Sequence, residues 1–231
     1  MATLLILASK PQPVLPPRES IDAVACANAS GYSAAAANLP DPAFTVMTAA
    51  LASERQPSHR FALEALQGLR TGALYMIPRP ALQGFSVRRL KHELRNLRVR
   101  PWYFRWKLRS IGYRFDVFAT RSREFCHGVL LRQCGGDPAV SEQIARRKPS
   151  TGIVALVFGL ADPRFTRLVV SGFDFEVTHA YAHDRGMVRK GDLRSRHAET
   201  DALVLRHLCA RHPNLYTTEP RVHECAGVPY L

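Results

Sequence analysis

The stretch Arg167-Leu-Val-Val-Ser-Gly-Phe-Asp174 has the pattern of a β-strand that ends in a small residue, a glycine and a carboxylate. Its β-branched residues favour a strand, and the polar residues that follow indicate where the strand stops. Open α/β sheets bind their ligands beyond the carboxyl ends of the strands. We therefore expect a binding site here, with Gly172 allowing close approach of the backbone and Asp174 at the active-site end of the strand.

Shorter apolar runs predict the rest of a sheet and the helices between its strands. The predicted strands are 3–8, 21–28, 44–48, 74–77 and 214–217, and the predicted helices are 34–37, 60–69, 150–160 and 202–209. Strands at this spacing imply crossover connections, which join strands that run in parallel. The sequence thus predicts an α/β fold with a doubly wound, mostly parallel sheet.

Length and composition exclude several classes of protein. The chain has 231 residues, of which 46% are hydrophobic, so a disordered basic tail is excluded. The longest apolar run, Ile153–Ala161, is far shorter than the roughly 18 residues of a membrane span. At the N terminus no positive charge precedes the apolar run, which indicates a first strand of a cytoplasmic protein rather than a signal sequence. We expect one domain over residues 1–231.

Neither a disulfide framework nor a metal site is expected. The five cysteines are odd in number and scattered, without a Cys-x-x-Cys pair. His179 and His183 lie four residues apart and close to Asp184, but no predicted helix aligns them for metal binding.

Most of the positive charge lies in one basic segment, residues 85–125. The chain carries a formal net charge of +13, and residues 85–124 contain twelve lysines and arginines against three acidic residues. Both tryptophans lie in this segment. Three interpretations stay open, namely a solvated basic helix, a surface for an anionic membrane or acidic glycan, and a nucleic-acid site. We predict a basic helical insertion that acts as a lid or as a membrane- or acceptor-docking segment.

Basic and hydroxyl residues immediately precede the apolar helix predicted over 150–160. They are Lys148, Ser150 and Thr151, followed by Gly152. Free backbone N–H groups at a helix start, beside cations, can bind a phosphate. The alternative is that Ser150 serves only as the N-cap of the helix.

His197 lies near the predicted start of a later helix, with Arg194 and Arg196 before it and Glu199 and Asp201 after it. An imidazole in this setting can act as a general base or contact a phosphoryl group. His197 is therefore the histidine to which we assign a role.

The order and spacing of these elements resemble the CMP-sugar-dependent sialyltransferases, especially the bacterial enzymes of glycosyltransferase families 42 and 29. The elements that carry the resemblance are the strand and turn Leu4–Pro11, the strand end Cys26-Ala-Asn28, the helix start Ser150–Gly152, the strand and turn Val169–Phe175, and His197 at a helix start. Residues 146–217 carry most of its specificity.

The resemblance implies a Rossmann-like α/β domain that binds a CMP-sugar and needs no metal or other cofactor. It also implies that a histidine deprotonates the acceptor hydroxyl while the phosphate leaves. On this sequence, the catalytic positions fall on His197 and Asp174. The donor-binding positions fall on Ser9, Asn28, Lys148, Ser150, Thr151, Gly152, Gly172 and Tyr181.

The predicted function is transfer of an acidic sugar, sialic acid or a similar one, from a CMP donor to a glycan, glycolipid or lipopolysaccharide acceptor. The expected partners are the donor, the acceptor and an anionic membrane surface, with the enzyme in the cytoplasm and peripheral on the inner membrane. One alternative is a non-catalytic α/β module that binds nucleic acid or an anionic membrane through its basic segment. Another is a transferase fold that has lost its chemistry. Nucleic acid is the less favoured partner.

Overall fold

The computed structural model describes residues 2–54, 56–79, 97–177, 179–181 and 194–231. Seven strands of the described residues form one sheet: β1 (Thr3–Leu7), β2 (Ala23–Ala27), β3 (Phe44–Thr48), β4 (Arg70–Ile77), β5 (Arg114–Thr120), β6 (Arg167–Ser171) and β7 (Leu215–Thr217). The strand order is β5-β4-β3-β2-β1-β6-β7, and each neighbouring pair is parallel. The predicted Rossmann-like α/β fold is confirmed.

The helices of the described residues lie in the connections between strands and after β7. They are α1 (Gly31–Ala36), α2 (Pro57–Ala65), α3 (Pro101–Ser110), α4 (Arg123–Gln133), α5 (Pro138–Arg146), α6 (Thr151–Leu160), α7 (Ala198–Arg211) and α8 (Pro220–Ala226). Short 3₁₀ helices cover Arg18–Ser20, Ala49–Ser53 and Leu97–Val99.

Strand β1 lies near the middle of the sheet and is buried on both faces. Leu4 and Ile6 belong to the hydrophobic core on the α6 side, whereas Leu5 and Leu7 pack with Ala34 of α1 on the other. Successive side chains of a strand point to opposite faces, so a strand with helices on both sides must be apolar throughout. Each such buried aliphatic side chain contributes roughly 1.5–3 kcal/mol. The sheet is therefore doubly wound.

Helix α6 lies directly on the centre of the sheet. A Cβ atom added at Gly159 would lie 2.7 Å from Leu4 Cδ2 and 3.2 Å from Ile6 Cδ1, so this position requires glycine. The helix connects toward the parallel strand β6, so it begins at the edge of the sheet where the strands have their carboxyl ends. Its N terminus therefore faces the expected ligand-binding edge.

The chain changes direction across the sheet next to β1. Strands β2 to β5 follow one another on one side of β1, whereas β6 and β7 lie on its other side. A crevice forms beyond the carboxyl ends of two strands at such a switch point, and ligands of open α/β sheets bind there. In this fold the switch point lies between β1 and β6.

The described part of the basic segment differs from the predicted helical insertion. It contains α3, whose Phe104 and Leu108 are fully buried, but also β5, which pairs with β4 as an edge strand of the sheet. No residue of β5 is fully buried, so its sequence lacks the apolar run that predicts a strand. Residues 85–96 lie outside the described residues, and a lid or docking role of the segment stays a prediction.

Candidate active site

A cavity of about 580 Å³ lies beyond the carboxyl ends of β1, β2 and β6, next to the start of α6. Nine of the ten residues predicted for the site line this first cavity: Ser9, Asn28, Ser150, Thr151, Gly152, Gly172, Asp174, Tyr181 and His197. Lys148, the tenth, lines a second cavity of about 360 Å³ that shares Asn28, Ser150, Thr151 and His197 with the first. The fold thus brings the predicted residues together around two adjoining cavities.

The turns after β1 and β6 touch each other at the first cavity. The Ala8 N–H donates to the Ser171 carbonyl at 2.9 Å, and the Lys10 N–H donates to the Gly172 carbonyl at 2.9 Å. Gly172 has a φ of +76°, and a Cβ atom there would lie 3.1 Å from the Ala8 carbonyl oxygen. Only glycine suits this backbone and this close approach. The paired turns fix Ser9 at the wall of the cavity.

Glu219 connects the two turns through hydrogen bonds and an ion pair. Its side chain is 1% exposed, and its Oε1 accepts the Gly172 N–H at 2.9 Å and the Val14 N–H at 3.1 Å. The same carboxylate forms an ion pair with Lys10. Glu219 was not among the predicted site residues, although its position just after β7, at the carboxyl edge of the sheet, was a usable signal.

Asn28 joins the ends of β2 and β3. Its backbone has a φ of +52°, a left-handed conformation that asparagine tolerates better than most residues. Its N–H donates to the Val46 carbonyl at 2.8 Å, and its Oδ1 accepts the Thr48 N–H at 3.1 Å. These bonds hold the side-chain amide at the boundary of the two cavities. Its Oδ1 is used within the protein, so its amino group is the part of the side chain that can bind a ligand.

The start of α6 forms one wall of the first cavity. Ser150 is the N-cap, with its Oγ accepting the Ile153 N–H at 3.4 Å, as the alternative interpretation of this residue predicted. A Cβ atom at Gly152 would lie 2.8 Å from the ring of Phe173, so the helix start packs tightly against the turn after β6. Thr151 and Gly152 also line the cavity, which leaves the helix N terminus available to an anion.

Asp201 supports the helix start and was missing from the predicted site residues. It lies on α7, is 5% exposed, and accepts the Ser150 N–H at 2.9 Å. Burial raises the pKa of the Asp201 carboxyl to about 7, although its hydrogen bonds with Ser150 oppose that shift. The charge of this carboxyl group therefore changes near neutral pH, directly behind the start of α6.

His197 is held in one tautomer at the N-cap position of α7. Its Nδ1 lies 2.7 Å from the Lys148 carbonyl oxygen, which can only accept a hydrogen bond. The neutral ring therefore carries its proton on Nδ1, and Nε2 is left as the basic nitrogen. The Arg196 Nε donates to this Nε2 at 3.3 Å.

The electrostatic surroundings keep His197 neutral. Burial lowers the pKa of the imidazole below its usual 6.5, and the nearby cations Arg196 and Lys148 lower it further, against the effect of the Lys148 carbonyl. His197 lines both cavities. A neutral imidazole at this boundary can accept a proton from a bound hydroxyl group when that hydroxyl replaces Arg196 as the donor to Nε2.

Two predicted residues in the loop after β6 are engaged within the protein. The Asp174 Oδ1 accepts the Glu176 N–H at 3.1 Å, and the Glu176 carboxylate forms an ion pair with Arg221. The Tyr181 hydroxyl donates to the Ser58 carbonyl at 2.5 Å, and its ring stacks on His179 at 5.3 Å. Asp174 and Tyr181 therefore shape the cavity, while their predicted roles toward a donor stay predictions.

Metal-binding clusters were sought across the residues that the structure describes. No group of three or more histidine, cysteine or acidic side chains there could hold a metal ion. His183 and Asp184 lie outside the described residues, and the expectation that no metal is needed stays untested. None of the helices described here is long and apolar enough to cross a membrane.

Two solved sialyltransferase structures resemble the chain. One is a variant of the sialyltransferase Cst-II in complex with CMP; it is 13% identical, with a TM-score of 0.45, and the match covers 98% of this chain and 85% of that one. The other is CstII from Campylobacter jejuni in complex with a substrate analogue, CMP-3FNeuAc, at 12% identity, a TM-score of 0.45, and coverage of 100% and 85%. No protein-family model matches the chain, and no curated protein matches it significantly.

Two arginines and a histidine line the second cavity and were not predicted as part of the site. Arg79 follows β4, Arg123 begins α4, and His127 lies one turn later on the same helix. Arg79 lies far in sequence from Arg123 and His127, in a chain that is basic over much of its length, so no local motif marks them. Only the fold places them beside Lys148 and His197.

Proposed function

We propose that this protein is a glycosyltransferase that moves an acidic sugar from a CMP donor to a hydroxyl group of a glycan, with His197 as the general base. The observation that carries the proposal is the position of His197, which lines both cavities. A transferase needs such a group between the sites of its two substrates, because the proton leaves the acceptor as the donor bond breaks.

The first cavity suits the nucleotide donor. Its volume of about 580 Å³ falls within the range of roughly 300–1,000 Å³ that is typical of small-molecule sites. The turn at Gly172 lets a ligand approach the backbone closely, and the start of α6 favours negative charge. The resemblance of the sequence to CMP-sugar-dependent sialyltransferases supports cytidine as the base.

In the proposed reaction the acceptor oxygen attacks the anomeric carbon of the donor sugar. The bond between that carbon and the phosphate oxygen breaks, CMP leaves with the electron pair, and Nε2 of His197 takes the proton of the acceptor hydroxyl. Negative charge develops on the leaving phosphate, and preoriented N–H groups and cations stabilise such charge. The start of α6 is suited to that role.

Nucleotide binding tests the proposal directly. We expect CMP at 100 times its Kd to stabilise the protein by about 2.7 kcal/mol in a thermal-shift titration, and UMP, GMP and AMP to have much smaller effects. Thr151→Glu should abolish the CMP shift, because it places a negative charge at the start of α6 without disfavouring the helix.

Ser141→Glu is the matched control, since Ser141 lies exposed near the start of α5 and lines neither cavity. It should leave the CMP shift unchanged. Equal stabilisation by another nucleotide, or a normal CMP shift with Thr151→Glu, would contradict the proposed donor site.

A membrane surface is the second proposed partner, and an exposed aromatic face of α3 supports it. Trp102 and Trp106 are 62% and 57% exposed, and their spacing of four residues places them on one side of the helix. The exposed Arg105 and Arg109 lie on the same helix. Exposed tryptophans beside cations suit the headgroup region of an anionic membrane, where the rings bury apolar area and the charges meet anionic lipid.

We expect the chain to sediment with vesicles of phosphatidylglycerol and phosphatidylethanolamine but not with phosphatidylcholine vesicles. The double change Trp102→Ala and Trp106→Ala should weaken this binding by more than about tenfold, because burying each large apolar side chain contributes roughly 1.5–3 kcal/mol. Phe125→Ala, at an aromatic residue that is 47% exposed elsewhere, serves as the control. Tight, steeply salt-dependent binding to single-stranded RNA or DNA instead would favour the nucleic-acid alternative.

A further inference from the structure

The second cavity has a strongly cationic wall. Arg79, Arg123, Lys148 and Arg196 all line its volume of about 360 Å³, together with His197. None of the described residues that line it is an aspartate or a glutamate. Like charges held together in a concave site, without acidic partners in its described wall, raise the local potential and attract anions.

The cations are close enough to affect one another. Burial lowers the pKa of the Lys148 ammonium group, and Arg196, Arg123 and Arg79 lower it further. Three guanidinium groups and an ammonium group that face one space repel each other, and a bound anion relieves that repulsion. Arginine pairs well with phosphate and carboxylate because its planar fork can form two parallel hydrogen bonds.

Two further histidines, His59 and His127, line this cavity, and the acidic residues Glu124 and Asp201 lie near it. Burial lowers the pKa of His59, as does Arg79, and burial together with Arg123 lowers the pKa of His127. Glu124, which is exposed on α4, opposes the effect on His127. Both imidazoles are therefore mostly neutral at pH 7 and can still donate a hydrogen bond to an anion.

We propose that the second cavity binds an anionic group of the acceptor, so that the acceptor is a phosphorylated or carboxylated glycan. This inference rests on the proposed function, because His197 can deprotonate only a hydroxyl group that lies within reach of it. Both cavities share the start of α6 and Arg196. The close backbone turn at Gly172, which suits a nucleotide, lines the first cavity alone, whereas the cations Arg79, Arg123 and Lys148 line the second alone. An acceptor whose anionic group binds the cations of the second cavity would present a neighbouring hydroxyl group to Nε2 of His197.

Calorimetric titration of the full chain can measure binding at the acceptor site and at the donor site independently. The probes are galactose 6-phosphate, galacturonate and uncharged galactose for the second cavity, and CMP and CMP-3FNeuAc for the first. We expect the wild-type protein to bind at least one of the two anionic sugars and to bind galactose much more weakly. Whichever anionic sugar binds identifies the phosphate or the carboxylate as the group that the acceptor carries.

The double variant Arg79→Gln and Arg123→Gln should weaken binding of the anionic sugar by about a hundredfold, because each lost charge-assisted contact is worth about tenfold or more. Its affinity for CMP should stay within about twofold of wild type, and its Tm should not fall, because the change removes repulsion. Arg132→Gln is the matched control, since Arg132 is exposed on the same helix and lines neither cavity.

The other possible results of these titrations show whether the inference or the proposed function is wrong. If the double variant loses CMP-3FNeuAc but keeps the anionic sugar and CMP, the cations bind the sugar carboxylate of the donor, and the inference is overturned while the proposed function stands. If neither anionic sugar binds the wild type, the inference is also overturned. If CMP does not bind while an anionic sugar does, the proposed function fails and an anion site remains.

Discussion

Replacing His197 with alanine is expected to lower the rate of sugar transfer by about 10²- to 10⁴-fold, the usual contribution of a general base. The ring is fixed by the Lys148 carbonyl so that Nε2 is the basic nitrogen, and it lies at the boundary of the two cavities. Alanine removes the proton acceptor without filling either cavity. Binding of CMP should change little, because the first cavity keeps its turns and the start of α6.

The measurement is turnover of CMP-sialic acid with a panel of glycan acceptors, alongside thermal shift by CMP. His207→Ala is the matched control, since His207 lies on the same helix, faces Asp137 and lines neither cavity. It should retain transfer at nearly the wild-type rate. Wild-type turnover in the His197→Ala protein would rule out the base that we assign.

The pH dependence of transfer follows from the same residue. The pKa of His197 is lowered below 6.5, chiefly by burial. The neutral base is therefore present at pH 7, and its contribution to kcat/KM should be lost as the pH drops through this lowered pKa. The acid limb of the profile should have its inflection below pH 6.5 and should be absent from the residual activity of His197→Ala.

Replacing Glu219 with alanine is expected to lower the free energy of unfolding by about 3 kcal/mol, at the low end of the cost of breaking a buried ion pair. Glu219 is 1% exposed and accepts the N–H groups of Gly172 and Val14 as well as pairing with Lys10. All three groups lose this partner in the variant. The effect stays at the low end because the Lys10 side chain is 25% exposed and can reach water.

Urea-induced unfolding at 25 °C measures this change. Glu219→Gln should fall between wild type and alanine, because the amide oxygen can still accept a backbone N–H while the charge is lost. Glu224→Ala, at an exposed residue of α8, should change stability by less than about 0.5 kcal/mol. A similarly small effect of Glu219→Ala would show that the two turns hold together without this carboxylate.

The sequence alone was sufficient to predict the strands and the helix at the centre of the sheet. Strands β1, β3 and β6 and helix α6 coincide with apolar runs that the analysis singled out, because elements buried on both sides must be apolar along their whole length. Helix α7 was predicted over 202–209 and begins earlier, at Ala198, directly after His197. Polar residues at the strand ends then followed as site candidates from the general rule for parallel sheets.

The edge of the sheet was not predictable in this way. Strand β5 pairs on one side only, and none of its residues is fully buried, so burial imposes little pattern on its sequence. Helices α4 and α5 were also missed. For α4 the reason is that only Cys126, Val129 and Leu130 are buried among eleven residues, which gives a weak amphipathic signal.

The sequence by itself predicted a parallel α/β fold from local apolar runs. A rule about strand ends, together with the resemblance to the sialyltransferases, predicted nine residues of the first cavity, His197 among them. Only the tertiary structure decided what surrounds that histidine. Arg79, Arg123 and Lys148 come from three separate segments, and Glu219 and Asp201 support turns far from them in sequence. Local patterns reflect burial, whereas the clustering of charge depends on the order in which the strands lie in the sheet.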